Sequence, residues 1–222
     1  MTEPPEPIPT GRLGGQMAAA VGGLLARMRL TRLAERHDNR AVMGAFAFVN
    51  GCLAIAVMSA AALATGSPFV FPSLGPTAFL HFYTALAPAA SPRNTFFGHL
   101  IGVGAGVLSL ELFGLRDAGP ALSTGMTVGR VAAVALSLGL TSGVMIWCGV
   151  PHPPAGATTM IISLGILTPT SHLVTLMVAV VMLTLQAFAI NRLAGLPYPR
   201  WSPLPSGQAG SSGQAGAPSP GG

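Results

Sequence analysis

The stretch AVMGAFAFVNGCLAIAVMSAAALATGSPFVFPSLGPTAFLHFYTALAPAASP, residues 41–92, runs for 52 positions without Asp, Glu, Lys or Arg. A second run, Val131 to Asn191, continues the same absence over 61 positions. A helix needs about 20 apolar residues to cross the hydrocarbon core of a bilayer, so both runs read as membrane-embedded. The whole chain of 222 residues carries eleven basic and six acidic side chains, is 50% apolar and has a mean hydropathy of +0.62. That is too little charge to cover a water-soluble globule of this size. An ordinary soluble enzyme is excluded, and an all-α integral membrane protein in contact with the lipid bilayer is expected.

Four segments are able to span, at about Ala41–Ala64, Asn94–Gly114, Gly129–Gly149 and Ser171–Leu193. Two shorter apolar pieces, Phe71–Leu86 and His152–Leu167, open with proline and glycine and close at Pro88 and Pro169. Three to four helical turns are too short to cross comfortably at about 1.5 Å per residue, so these pieces are expected to be re-entrant half-helices. At an offset of 81 residues they share Pro72/Pro153, Gly75/Gly156, Thr77/Thr158, Leu86/Leu167 and Pro88/Pro169. Roughly one or two such identities would arise from composition, so a tandem repeat is expected. Each unit, at about 41–114 and 129–193, reads long helix, half-helix, long helix.

The net charge of +5 would suggest a nucleic-acid partner in a soluble chain. Here the basic residues are all arginines gathered mostly before the first span, which membrane orientation explains better. No nucleic-acid partner is expected. With four spans and re-entrant half-helices, ten arginines face the cytoplasm and Arg93 faces away, and the repeats are parallel. If both half-helices crossed, the count would be nine against Arg116 and Arg130, and the repeats would be inverted. The first model is slightly preferred, with both termini cytoplasmic and the chain in a bacterial inner membrane. Residues 1–40 read as a disordered start followed by a basic amphipathic segment, 41–199 as the transmembrane domain, and 200–222 as a disordered low-complexity tail. The proline-rich, acidic opening does not read as a cleavable signal. Cys52 and Cys148 lie in apolar segments and set no disulfide framework.

The most specific string is His152-Pro153-Pro154-Ala155-Gly156-Ala157-Thr158-Thr159, matched in the first repeat by Pro72-Ser73-Leu74-Gly75-Pro76-Thr77. Proline suits the first turn of a helix, where amides lack intrahelical partners. Two half-helix N-termini inside a membrane therefore form a candidate anion site, with Gly75 and Gly156 allowing close approach and Ser73, Thr77, Thr158 and Thr159 adding hydroxyls. In the alternative, the prolines and glycines only break helices, and water, Ser73 or Thr158 caps the amides. Arg93 offers a planar fork suited to an oxyanion and Asn94 stands beside it, although an interfacial arginine also snorkels to headgroups. His99 and His81 are polar groups at membrane depth, which are functional candidates by default. His152, next to the half-helix start, is a candidate proton carrier. Gly98, Gly102 and Gly106 form a small-residue packing stripe, and Gly139 and Gly143 repeat the device. Asn50 and Gln186 are expected to bond between helices, Glu111 to pair with Arg116, and Trp147, Tyr198 and Trp201 to lie in aromatic belts.

LGPTAFL (74–80), SPRNTFFGHLIG (91–102), HPPAGATTMI (152–161) and NRLAGLPYP (191–199) together resemble the HPP family of small integral membrane proteins, named for its His-Pro-Pro motif. The likeness covers about residues 41–199. It implies a four-span membrane protein, and the family includes members implicated in nitrite transport across plastid and cyanobacterial membranes. The expected function is thus a transporter or channel for a small inorganic anion, nitrite-like by resemblance, acting as a homo-oligomer and using no cofactor. A non-transporting structural or sensory module is the rival. An intramembrane metalloenzyme built on His81, His99 and His152 is disfavoured, because no HExxH-like spacing and no acidic ligand in the spans supports a metal. No catalytic residue is assigned.

Overall fold

The computed structural model describes residues 39–205. The expected basic amphipathic segment and residues 206–222 of the expected tail lie outside the described residues. In chain order the helices are α1 (Asn39–Thr65), α2 (Leu74–Tyr83), a 3-10 turn (Pro88–Ala90), α3 (Pro92–Leu112), α4 (Ala121–Thr124), α5 (Val128–Trp147), α6 (Ala155–Ser163) and α7 (Thr170–Leu193). Four of them, α1, α3, α5 and α7, are long and apolar enough to span a bilayer. The two half-helices are α2 and α6. They are shorter than expected, 10 and 9 residues, because Pro72 and Pro153 hold their leading residues out of the helix. Gly165, at φ +76°, ends the turn after α6 in a conformation that disfavours side chains.

Capping explains where the central helices start. The Ser91 hydroxyl accepts from the Asn94 amide with Pro92 in the first turn of α3, and the Thr127 hydroxyl accepts from the Arg130 amide at α5. Of the four spans, α3 is the most enclosed and α1 the most peripheral. Large apolar side chains such as Leu63, Val128 and Leu185 point outward, as lipid-facing positions should.

The glycine stripe of α3 is what lets α6 lie directly on it. A Cβ added at Gly98 would stand 2.5 Å from the His152 Cβ, one at Gly102 2.8 Å from the Ala155 carbonyl oxygen, and one at Gly106 2.8 Å from the Ile162 Cβ. The order of these contacts also shows that α6 runs in the same direction as α3. The second pair of glycines does not repeat the device. A Cβ at Gly139 would meet nothing within 4 Å, and one at Gly143 meets only Trp147 of its own helix.

The ends of the bundle can be assigned from hydrogen bonds. At the Arg93 end, the Arg93 amide donates to the Trp201 carbonyl, its guanidinium to Gly149, and the Asn94 side chain to Pro151. At the opposite end, Arg116 donates to the Thr170 hydroxyl and pairs with Glu111 at 2.7 Å, as expected. The segment 149–169 therefore starts at the Arg93 end and finishes, through Ser163 against Arg130 and Leu164 against the Ala121 amide, at the Arg116 end. The first half-helix runs the other way. Its last turn carries His81 to Asn191 and Tyr198 at the Arg93 end. Phe82 there meets Phe46, near the start of α1, at 6.2 Å. The 27-residue α1, about 40 Å long, then leaves Gly66 at the far end. The end contacts thus describe half-helices that each carry the chain from one end of the bundle to the other, in opposite directions, in place of the expected re-entrant course and parallel repeats. Length had argued for re-entry, but an extended leg supplies the missing span at about 3.3 Å per residue.

This course is testable by accessibility labelling in a background lacking Cys52 and Cys148, both of which are exposed. Cysteines placed at Gly66 and at Pro151 should label from opposite sides of the membrane. Labelling of both from one side would restore the re-entrant model.

Three polar expectations change. Asn50 bonds the Phe46 carbonyl of its own helix, and the Gln186 side-chain oxygen is buried without a partner. Neither bridges helices. Tyr198 is fully buried, not in a belt: its hydroxyl donates to the Ala90 carbonyl at 2.5 Å and lies 2.9 Å from His81 Nδ1. Burial pushes its phenol well above the usual range. Trp147 and Trp201 remain exposed. Arg130, treated in the sequence only as an orientation marker, is 2% exposed and donates to the Ser163 carbonyl at 3.1 Å and the Gly119 carbonyl at 2.7 Å. It caps the C-terminus of α6, where a cation is favoured. Arg130→Met should strip both carbonyls of a charged donor, each bond contributing about 1.5 to 3 kcal/mol. The expected result is a lower thermal midpoint in detergent for the purified protein.

Candidate functional site

Because α2 and α6 start within the bundle and run apart, their first turns meet beside α3, and the two threonines paired by the 81-residue offset bracket one imidazole. Thr77 Oγ1 lies 3.0 Å from His99 Nε2, and Thr158 Oγ1 lies 2.7 Å from His99 Nδ1. His152 completes the group, with its Nε2 3.2 Å from His99 Nε2 and 3.3 Å from Thr77 Oγ1. All four side chains are fully buried. His152 reaches this position because the absent side chain of Gly98 leaves room for it.

Proton positions in this network follow from its fixed ends. His152 Nδ1 lies 2.7 Å from the Ala89 carbonyl, which can only accept, so Nδ1 carries the proton and Nε2 of the neutral ring accepts. His99 Nε2 must then be the donor toward His152 Nε2 and Thr77. Thr77 agrees, since its own hydroxyl proton goes to the Ser73 carbonyl at 2.9 Å. His99 Nδ1 is left as an acceptor, and the Thr158 hydroxyl supplies it. With both rings neutral every contact along the chain from Thr158 to Ala89 has one donor and one acceptor, and only the longer 3.3 Å approach of Thr77 Oγ1 to His152 Nε2 brings two acceptors together.

The expected supply of free amides at the second half-helix is not there. Pro153 and Pro154 have no N–H, and the amides of Ala155, Gly156 and Ala157 donate to the carbonyls of His152, Pro153 and Pro154 in tight turns. At the first half-helix, Leu74 donates to Phe71 and Thr77 to Ser73, while Gly75 has no backbone acceptor among the described residues. Ligand recognition at this junction would therefore fall to the helix dipoles and the hydroxyls more than to amides. Two hydroxyls are available. Ser73 Oγ and Thr159 Oγ1 are buried without hydrogen-bond partners, and buried polar atoms in that state call for a ligand or water. On the outward side, Gly75, Pro76, Phe79, Leu80, Pro153, Pro154 and Ala157 line an open, mostly apolar groove of about 570 Å³.

The other expected site residues are placed differently. Arg93 and Asn94 do not join the histidine cluster. They tie down the loop leading to His152 through Gly149 and Pro151. Gly156 faces Leu138 of α5, which a Cβ would meet at 3.4 Å. His81, buried with its Nε2 unpartnered, joins Tyr198 and Asn191 instead. That Tyr198 and Asn191 hold His81 was not legible from the residues, because they lie more than a hundred positions away. Among the described residues no group of three His, Cys, Asp or Glu side chains is placed to hold a metal ion.

The family model described as HPP, transmembrane region, matches residues 35–199, well over half of the chain. The chain belongs to the HPP family. No curated protein and no solved structure matches it. In this HPP protein the His-Pro-Pro motif does two structural jobs. The histidine reaches back under α3, while the two prolines remove amides that would otherwise be buried and unpaired at the start of α6.

Proposed function

We propose that this HPP protein is a transporter or channel for a small inorganic anion, nitrite-like by family resemblance, performing no chemistry on it. The observation that carries the reading is the junction of two half-helix N-termini with a buried Thr77–His99–His152–Thr158 network and the unpartnered hydroxyls of Ser73 and Thr159. Positive dipole ends and hydroxyl donors favour a small anion, and broken helices pointing inward from opposite ends are how several transporters hold ions at mid-membrane. Bracketing of His99 by matched threonines supports the internal repeat. The reading places the chain in the bacterial inner membrane as a homo-oligomer with both ends cytoplasmic. Among the described residues Arg40, Arg93, Arg192 and Arg200 then lie inside against Arg116 and Arg130 outside, which fits the positive-inside bias.

The test is flux in proteoliposomes of the purified full chain, comparing nitrite, nitrate, formate and chloride against empty vesicles. Flux of at least one anion above the empty vesicles is expected. Absence of flux for all four would leave the structural or sensory module as the better reading.

A further inference from the structure

We infer that the His99–His152 pair is a one-proton binding site that is loaded together with the anion, making the protein a proton–anion symporter. The inference rests on the transport reading and adds its coupling ion. Its basis is the direct 3.2 Å contact between two imidazole Nε2 atoms, in a chain whose far end is pinned by the Ala89 carbonyl and whose near end is a rotatable hydroxyl.

With both rings neutral, only one arrangement satisfies the chain: Thr158 donates to His99, His99 donates to His152, and His152 donates to Ala89. The reverse arrangement would turn the bare Nδ1 of His152 against a carbonyl oxygen. One extra proton changes the ordering. It bonds to His99 Nδ1 as the Nε2–H bond of His99 breaks, and that proton crosses to His152 Nε2. His99 is again neutral with Nδ1 protonated, and His152 is an imidazolium that keeps its bond to Ala89. One N–H bond is broken and two are formed, for one proton taken up. Thr158 now accepts from His99, so its own hydroxyl proton is released to a new acceptor at the start of α6. An anion there would meet a hydroxyl donor and a positive charge that the neutral network withholds. Loading of the proton and of the anion each favours the other, which is reciprocal coupling.

Nothing nearby neutralises the charge in advance. Thr77 of α2 is in hydrogen-bond reach of the pair, and the titratable and charged side chains on the surrounding elements are His81 of α2, Arg93 and Glu111 at the two ends of α3, Arg130 at the start of α5, His172 and Arg192 at the two ends of α7, and Tyr198 after it. Glu111, the one carboxylate among them, lies at the far end and is paired with Arg116. Arg93 and Arg130 are committed to backbone carbonyls at the two ends, and Tyr198 is bonded to Ala90. A buried imidazolium without a carboxylate calls for an anion as its counter-charge.

The experiment uses full-length protein in vesicles containing a trapped pH-sensitive dye. An inward nitrite gradient, and separately a nitrate gradient, is imposed near neutral pH, with leakage from empty vesicles subtracted. Anion entry should acidify the lumen with about one proton per anion, should fall as external pH rises, and should not respond to an imposed membrane potential. His152→Gln should abolish the protein-dependent acidification and leave any remaining flux sensitive to the potential. If that variant folds poorly, the wild-type ratio of protons to anions decides alone. Anion flux without acidification, or flux driven by the potential in the wild type, would overturn the coupling while the transport reading stands. No flux of any anion would overturn both.

Discussion

Gly102→Leu should remove most of the folded, detergent-stable protein. The first side-chain carbon alone would sit 2.8 Å from the Ala155 carbonyl oxygen. That oxygen is backbone in a half-helix, so it cannot swing aside as a side-chain tip would. The remaining carbons of leucine would have to displace α6 from α3, carrying His152 and Thr158 with it. Overpacking of this kind costs about 1 to 3 kcal/mol for small insertions and more for large ones, against a total stability of only about 5 to 15 kcal/mol. Gly104 lies on the same helix two residues on, and a Cβ there meets nothing within 4 Å. Gly104→Ala should therefore leave the yield unchanged. Size-exclusion profiles and thermal midpoints of the two variants check the contrast. A monodisperse, wild-type-like Gly102→Leu would mean that α6 does not rest on the stripe.

The same stripe shows what could be read from the sequence and what could not. Long apolar runs bounded by arginine gave the four spans to within two residues, because crossing a bilayer imposes a length that composition alone records. The half-helices were legible from proline and glycine, since these residues act locally. Their direction was not. Re-entry and crossing differ only in where the extended legs lead, and Gly66 and Pro151 carry no residue-level mark of that. The arginine count discriminates weakly because it moves only Arg93, Arg116 and Arg130. At the site, His99, His152, Thr77 and Thr158 were each visible as polar groups in apolar surroundings. That they form one hydrogen-bonded chain was not visible, because it depends on which faces of α2, α3 and α6 converge. Tyr198 was misread, and Arg130 was only counted, for a related reason. Near the end of a span an arginine or tyrosine normally reaches the interface, and only the packed loops at 119 and 90 supply the buried carbonyls that hold them here.

Thr158→Val should raise the anion concentration needed for half-maximal uptake by roughly ten- to a hundred-fold. Valine keeps the branched shape and deletes the hydroxyl, so the packing of α6 against α3 is preserved. A hydrogen bond to a charged ligand contributes about 1.5 to 3 kcal/mol, and about 1.4 kcal/mol corresponds to a factor of ten. The same change also leaves His99 Nδ1 a buried acceptor without its 2.7 Å partner, while the order of the rest of the chain stays fixed from the Ala89 end. Thr158→Ser separates the two contributions of the residue, because serine restores the hydroxyl and omits only the methyl group. It should recover most of the affinity, whereas a defect due to packing would persist in serine and be mild in valine. Uptake against anion concentration in proteoliposomes, normalised to folded protein, gives the comparison. Equal affinities for wild type and Thr158→Val would show that the hydroxyl serves only His99, and the anion would then have to be sought at the unpartnered hydroxyls of Ser73 and Thr159.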